Sequence, residues 1–316
     1  MPLPQATGLR KDWSKTEPMF AIIGIVVVFG AVLAGYLMEK GQILVLLQPA
    51  ELVIILGAAI GTVLVANPPR ILSGILKGIA GAFGSSKFTQ QWYVNSLKLL
   101  YDFFDQARRG GLATLEAEVE DPSKSKIFAT QPAVLADHHV CAFICDTFRV
   151  MMIGGMDPLD LDQMLESDID THHQEAGEPV SALSTMADSL PGLGIVAAVL
   201  GVVITMGALG GKPEEIGHKV AAALVGTFLG ILLCYGLIGP LAASMAKTAE
   251  AEHAYFHVLH VTMSAFNKGT PPLLAVETGR RAIPGYARPK FEELEKVCRK
   301  KGDQPAAPAA AAADKK

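Results

Sequence analysis

Two long apolar stretches of this sequence lack charge altogether. Residues 193–209 and 221–245 contain no Asp, Glu, Lys, Arg or His. Other absences narrow the reading further. There is no GxxxxGK[ST] phosphate loop and no dinucleotide fingerprint, so nucleotide hydrolysis is no ready source of energy. The 27 Lys and Arg are set against 31 Asp and Glu, and a net charge of −4 gives nucleic acid nothing to bind. Only four cysteines occur, too scattered for a disulfide framework, which suits a reducing compartment. No β-strand pattern stands out. His138, Cys141 and Cys145 share one helix face, but a single straight helix seldom supplies three metal ligands. His172 and His173, near Asp168 and Glu175, read as a solvated helix end. No metal, cofactor or enzymatic chemistry is expected.

What is present is a membrane protein with a soluble part. Mean hydropathy is +0.34, yet 18% of residues are charged. Four runs are long enough for the roughly 30 Å of a bilayer's hydrocarbon core. The first, Met19 to Met38, follows Arg10, Lys11 and Lys15 but is too long for a signal sequence and lacks a clear cleavage site. The second starts at about Ile43 or Ala50 and ends at Asn67-Pro68-Pro69. It carries a GxxxG pair, Gly57 and Gly61. Glu51 lies near its start, at or just inside the interface. Its carboxylate is expected to snorkel to the headgroups, with a role in ion transfer as the alternative. The expected fold is therefore all-α: four transmembrane helices and a large helical domain between the second and third.

The expected organisation is an N-terminal segment at 1–18, a first hairpin at 19–66, an insert at 67–189, a second hairpin at 190–246, C-terminal helices at 247–302 and a low-complexity tail at 303–316. Within the insert, Ile71–Phe83 has the pattern of a helix lying on the membrane surface. Helices are expected at Phe88–Ala107, Thr114–Glu120 and Pro132–Ile153, and from Asp157-Pro158 to about Gln174. Gly177-Glu178-Pro179 should then break the chain. Of the 27 Lys and Arg, only Lys40, Lys212 and Lys219 fall in the two short turns. Both termini and the insert are thus expected in the cytoplasm of a multi-pass protein.

Proton paths normally need an ionisable residue in the membrane. The deep parts of these spans hold none, so a partner helix should bring the carboxylate, with this chain as a small-residue wall around it. Gly194, Ala198, Gly201, Thr205 and Ala208 share one face of the third span. Ala223, Thr227, Gly230 and Cys234 do so in the fourth. The hydroxyls of Thr205 and Thr227 suit a water, an ion or a partner carboxyl, or else bond their own backbone four residues back. Pro191 opens the third span. Pro240, inside the fourth helical run, should kink it. Arg108 and Arg109, followed by Glu116, Glu118 and Glu120, form either a solvated cluster or an electrostatic contact for a partner.

QPAELVIILGAAIGTVLVANP, LEAEVEDP, SLPGLGIVAAVLGVV and ALVGTFLGILLCYGLIGPLA together resemble the MotA family of flagellar stator subunits, of the MotA/TolQ/ExbB proton channel superfamily. The likeness runs from about Ile22 to about Glu295. It implies a ring of chains, a pentamer, around a MotB dimer in the bacterial inner membrane, with ion flow turning the rotor through FliG. It also implies that MotB supplies the missing carboxylate. Pro191 and Pro240 match the family's coupling prolines, Arg108, Glu116 and Asp168 its rotor-facing residues, and Thr227 its pore threonine. Sodium-type relatives carry threonine where Ala198 stands, which points to H+ rather than Na+. The alternative is an ExbB- or TolQ-like energiser of outer-membrane processes, but those proteins have three spans and a different insert.

Overall fold

The structure, a computed structural model, describes residues 17–207, 210 and 213–299. Residues 1–16 of the expected segment 1–18, the tail 303–316, Ala208 and Lys212 lie outside the described residues. Of the described residues 84% are helical, and none is in a strand.

Helices α1 (Glu17–Met38), α2 (Ile43–Leu46), α3 (Pro49–Ala66) and α4 (Pro69–Ala82) come first. Then follow α5 (Gln90–Gly110), α6 (Glu116–Glu120), α7 (Pro132–Leu135) and α8 (His138–Ile153). Next are α9 (Pro158–Met206), α10 (Pro213–Leu233) and α11 (Gly239–Asn267), and finally α12 (Pro272–Ala282) and α13 (Phe291–Cys298). Four helical segments are long and apolar enough to cross a membrane: Phe20–Met38, Ile43–Ala66, Pro158–Met206 and Ile216–Asn267. They match the four expected spans.

The chain forms two compact units, one of Met1–Lys87 with His172–Ala251 and the other of Phe88–Thr171 with Glu252–Lys316. In the first, α3, α9 and α10 bury Ile55, Ala59, Leu190, Ala197 and Leu233 together. A second apolar cluster joins Val63, Ile75, Ala182, Leu183, Leu241 and Met245. The apolar face of α4 belongs to that cluster through Ile71, Leu72, Ile75 and Ile79. Those side chains, expected to lie on lipid, instead pack within the unit; Leu76 on the other face is 71% exposed.

In the second unit, aromatic rings fill the core. Phe104 stacks on Phe266 at 4.2 Å, Phe103 stacks on Phe148 at 4.9 Å, and Tyr255 meets Tyr93 edge-on at 5.5 Å. Such pairs add to the burial of the ring surface itself. Ser96 Oγ lies 2.7 Å from the Tyr255 hydroxyl, so this polar tip is satisfied inside the core.

Three sequence expectations give way to packing. Gly177-Glu178-Pro179 does not break the chain: α9 runs through it without interruption. A mid-helix proline forfeits one backbone hydrogen bond and costs about 3 kcal/mol. Here its ring packs on Gly74, where a Cβ would stand 2.6 Å from Pro179 Cγ. Burial of Ala182 and Leu183 one turn later offsets the loss. Conversely, Pro132–Ile153 is two helices, because Asp137 caps a new one by accepting the Val140 amide at 3.3 Å. Ahead of Pro240 the helix takes a wide turn in place of the expected plain break in hydrogen bonding. Residues Cys234–Ile238 are π-helical, and the Gly239 amide donates to the Cys234 carbonyl five residues back. That extra residue gives room for the proline ring.

Candidate functional site

The rows of small residues on α9 and α10 face each other within the chain. A Cβ added to Gly194 would stand 2.9 Å from the Gly226 carbonyl and 3.2 Å from Gly230 Cα. One added to Gly201 would stand 2.7 Å from Ala223 Cβ. The two helices therefore approach backbone to backbone, as small residues permit. Thr205 is 5% exposed and donates to the Gly201 carbonyl at 2.8 Å, the local bond that threonine forms in helices. Thr227 is half-buried and makes no side-chain hydrogen bond among the described residues. Ala198 is half-buried, and its amide nitrogen would lie 3.3 Å from a Cβ on Gly226. Pro191 is half-buried within α9, while Pro240 is exposed. The outward faces carry Val199, Val203 and Ile204 on α9 and Leu224 and Ile231 on α10.

Glu51 does not extend to the surface of the chain. It is 7% exposed, and its Oε2 has no hydrogen-bond partner among the described residues. A Cβ on Gly226 would stand 2.7 Å from that oxygen. Gly226 lies about 20 Å along α10 from Pro213, taking 1.5 Å per residue. The carboxyl thus sits against the body of α10, away from that helix's first turns. The cause is the entry to α3. Its helix starts only at Pro49, after α2 and the non-helical residues 47–48, so Glu51 falls in its first turn well inside the apolar run. Within the chain, the second apolar run thus holds a buried carboxyl beside the fourth. Two signals could have found the site: the Pro49 helix start, and a glycine next to the Thr227 position.

GxxxG residues Gly57 and Gly61 meet nothing within 4 Å in the chain. The close helix contact expected of them is not made within this chain.

In the second unit, α5 ends at Gly111, whose φ of 82° suits a residue without Cβ. Gln106 Nε2 then donates to the Thr114 carbonyl at 2.8 Å and fixes the turn into α6. The charges around this turn divide by role. Arg109 pairs with Asp105 at 2.9 Å. Glu118 accepts the Ser125 hydroxyl. Glu120 accepts from Arg149 Nε at 3.2 Å, while Arg149 also donates to the Val119 carbonyl at 3.1 Å. Arg108 and Glu116 are left exposed, with no ion pair among the described residues. Asp168, on α9, is exposed too. It borders an open groove of about 500 Å³ with Phe143, Val150, Met164 and Leu165 along it.

No group of three or more potential metal ligands occurs among the described residues. Burial, and then the neighbouring Cys141, push the Cys145 thiol up to about 12, so it stays protonated and makes a poor ligand or nucleophile.

Residues 22–111 match the family "Motility protein A N-terminal", and residues 136–257 match the "MotA/TolQ/ExbB proton channel family". The motility protein A of Escherichia coli K12 is 41% identical over 281 residues, which is 89% of this chain and 95% of that protein. Chemotaxis protein LafT of Vibrio parahaemolyticus is 36% identical across 88% of this chain and 98% of its own length. In fold, the chain resembles one from the C. jejuni MotAB structure, with a TM-score of 0.68 at 17% identity over 84% of this chain and 96% of that one. It also resembles one from the flagellar MotAB stator complex of Bacillus subtilis, with 0.66 at 21% over 85% and 98%.

Proposed function

This chain belongs to the motility protein A family, and from that membership we propose that it walls the ion path of a flagellar stator and converts proton flow into rotation. The family is one of multi-pass membrane proton channels, and four apolar helices are present here to cross the membrane. The observation that carries the proposal is the α9–α10 contact. Two spans free of charged residues between 193 and 206 and between 221 and 233 pack backbone to backbone. Such a pair makes a dense apolar wall and no self-contained relay.

In this reading a MotB dimer brings a carboxylate into a homo-oligomeric ring, a pentamer. Thr227 presents its unbonded hydroxyl toward that carboxylate, and Thr205 and Ala198 line the same path. With alanine at 198 one oxygen ligand for Na+ is missing, which favours H+. The driving force is the membrane potential, worth about 2.3 kcal/mol per charge and 100 mV. Pro191 lies within α9 and Pro240 in the first turn of α11. They are the points where a local change of bend would alter the course of those helices. Arg108, Glu116 and Asp168 then meet FliG. Both termini and the 88–171 segment face the cytoplasm. An ExbB- or TolQ-like role is less well supported, since those proteins have three spans.

Expression in a stator-null bacterium, with and without MotB, tests the proposal. Swimming only when both are present, together with co-purification of MotB, is the expected result. Motility with this chain alone, or no association with MotB, would contradict it.

A further inference from the structure

The second apolar run carries an acid that no described residue neutralises. Glu51 Oε2 is buried without a hydrogen bond and lies at Gly226, where α10 also meets Ala197 and the Ala198 backbone of α9. The titratable and charged groups on the elements packed there are remote. On α9 it is Asp188, nine residues from Ala197. On α10 the described ones are Glu214, His218 and Lys219, all at least seven residues from Gly226. Helix α2 has none. A bare carboxylate in such a place costs several kcal/mol, and membrane-buried acids of this kind usually mark ion routes. The acid reaches into the space that glycine leaves: a Cβ at 226 would stand 2.7 Å from Oε2, so an alanine there would push the carboxylate aside. The next residue along α10 is Thr227, whose hydroxyl is unbonded among the described residues.

We infer that Glu51 is a proton-exchanging group of the ion path, supplied by this chain in addition to the carboxylate that MotB is proposed to bring. The inference rests on the stator reading above. The step is a simple exchange. A water on the outer side gives H+ to the ionised Glu51 carboxylate, which becomes the neutral acid. The acid then passes H+ to the next acceptor inward, a water or the partner's carboxylate, and returns to the anion. One proton enters and one leaves, and no other charge moves. The neutral form is the one that an apolar cleft tolerates, so protonation and residence in the cleft go together.

The test uses the full chain purified with MotB and reconstituted in lipid vesicles carrying an internal pH dye, under an imposed potential. Wild type is compared with Glu51→Gln and Glu51→Asp. Glu51→Gln is expected to co-purify normally and to pass protons at least tenfold more slowly. Glu51→Asp should retain flux with a shifted dependence on outer pH. An infrared carbonyl band of a protonated carboxyl should titrate with outer pH in the wild type and vanish in Glu51→Gln. Wild-type flux and an unchanged band in Glu51→Gln would overturn the inference and leave the stator reading intact. A wild-type complex that passes no protons would sink both. Should Glu51→Gln fail to assemble, Glu51→Asp decides, and an unshifted pH dependence there would overturn the inference.

Discussion

His260 Nε2 stands 2.7 Å from Asp162 Oδ1, while Lys268 Nζ holds the other carboxylate oxygen at 2.8 Å. The contact ties the first turns of α9 to α11. Burial works to raise the Asp162 carboxyl, but the Lys268 and His260 contacts outweigh it and hold the group down to about 2. A depressed carboxyl stabilises the fold fully above its unfolded value near 3.9, and the effect is lost as pH falls toward 2. Asp162→Ala should therefore cost about 2 kcal/mol at neutral pH. It also strands His260, which is 8% exposed. Thermal unfolding of the solubilised chain should show a lower midpoint at pH 7, with the gap to wild type closing near the acid limit. Equal midpoints at pH 7 would show that the clasp contributes nothing.

Gly230 faces the Leu190 carbonyl, and a methyl there would come within 2.5 Å of it and 3.0 Å of Gly194 Cα. Both neighbours are backbone and cannot turn away. Gly230→Ala is expected to destabilise by about 1–3 kcal/mol through overpacking. Gly57→Ala, which meets nothing in the chain, should stay within about 0.5 kcal/mol of wild type in the isolated chain. Denaturation of both variants in detergent checks the contrast.

At Pro240 the π turn exists to accommodate a residue that cannot donate. Pro240→Ala can close that turn into an ordinary helix with one more backbone bond. Pro191→Ala likewise restores a donor within α9. Each variant is expected to assemble and to pass protons, but with rotation lowered at least tenfold. Tethered-cell rotation beside vesicle flux separates the two quantities, and wild-type torque in both variants would remove the coupling role.

Much of this was legible because apolar runs announce themselves. The four spans follow from run length, and the boundaries at Asn67-Pro68-Pro69 and Gly110-Gly111 follow from backbone chemistry. The misses share a cause: contacts between residues far apart in the chain. Pro179 signals a break in isolation, and only the seat provided by Gly74 lets the helix continue. The apolar stripe of α4 fits lipid as well as protein, and periodicity cannot tell them apart. Glu51 looked peripheral by distance from the run's start, whereas its burial depends on Gly226, a long way along the chain. Sequence pattern likewise gave the small-residue rows but not their mutual contact.

Arg108 and Glu116 stay exposed and unpaired while neighbouring Glu118 and Glu120 are engaged in holding the turn. Reversing Arg108 or Glu116 should leave stability within about 0.5 kcal/mol and cut torque. Reversing Glu120 should instead loosen α6, since Arg149 keeps only the Val119 carbonyl there. Torque at high load, set beside thermal midpoints, distinguishes these outcomes. Unchanged torque in the Arg108 and Glu116 reversals, singly and combined, would move the rotor contact elsewhere.

Single-motor rotation in sodium-free medium is the most direct measurement. Stator-null cells carrying this chain and MotB should rotate at full speed without sodium and stop when a protonophore collapses the gradient. Rotation that needs sodium, or that survives the protonophore, would contradict a proton path walled by this chain.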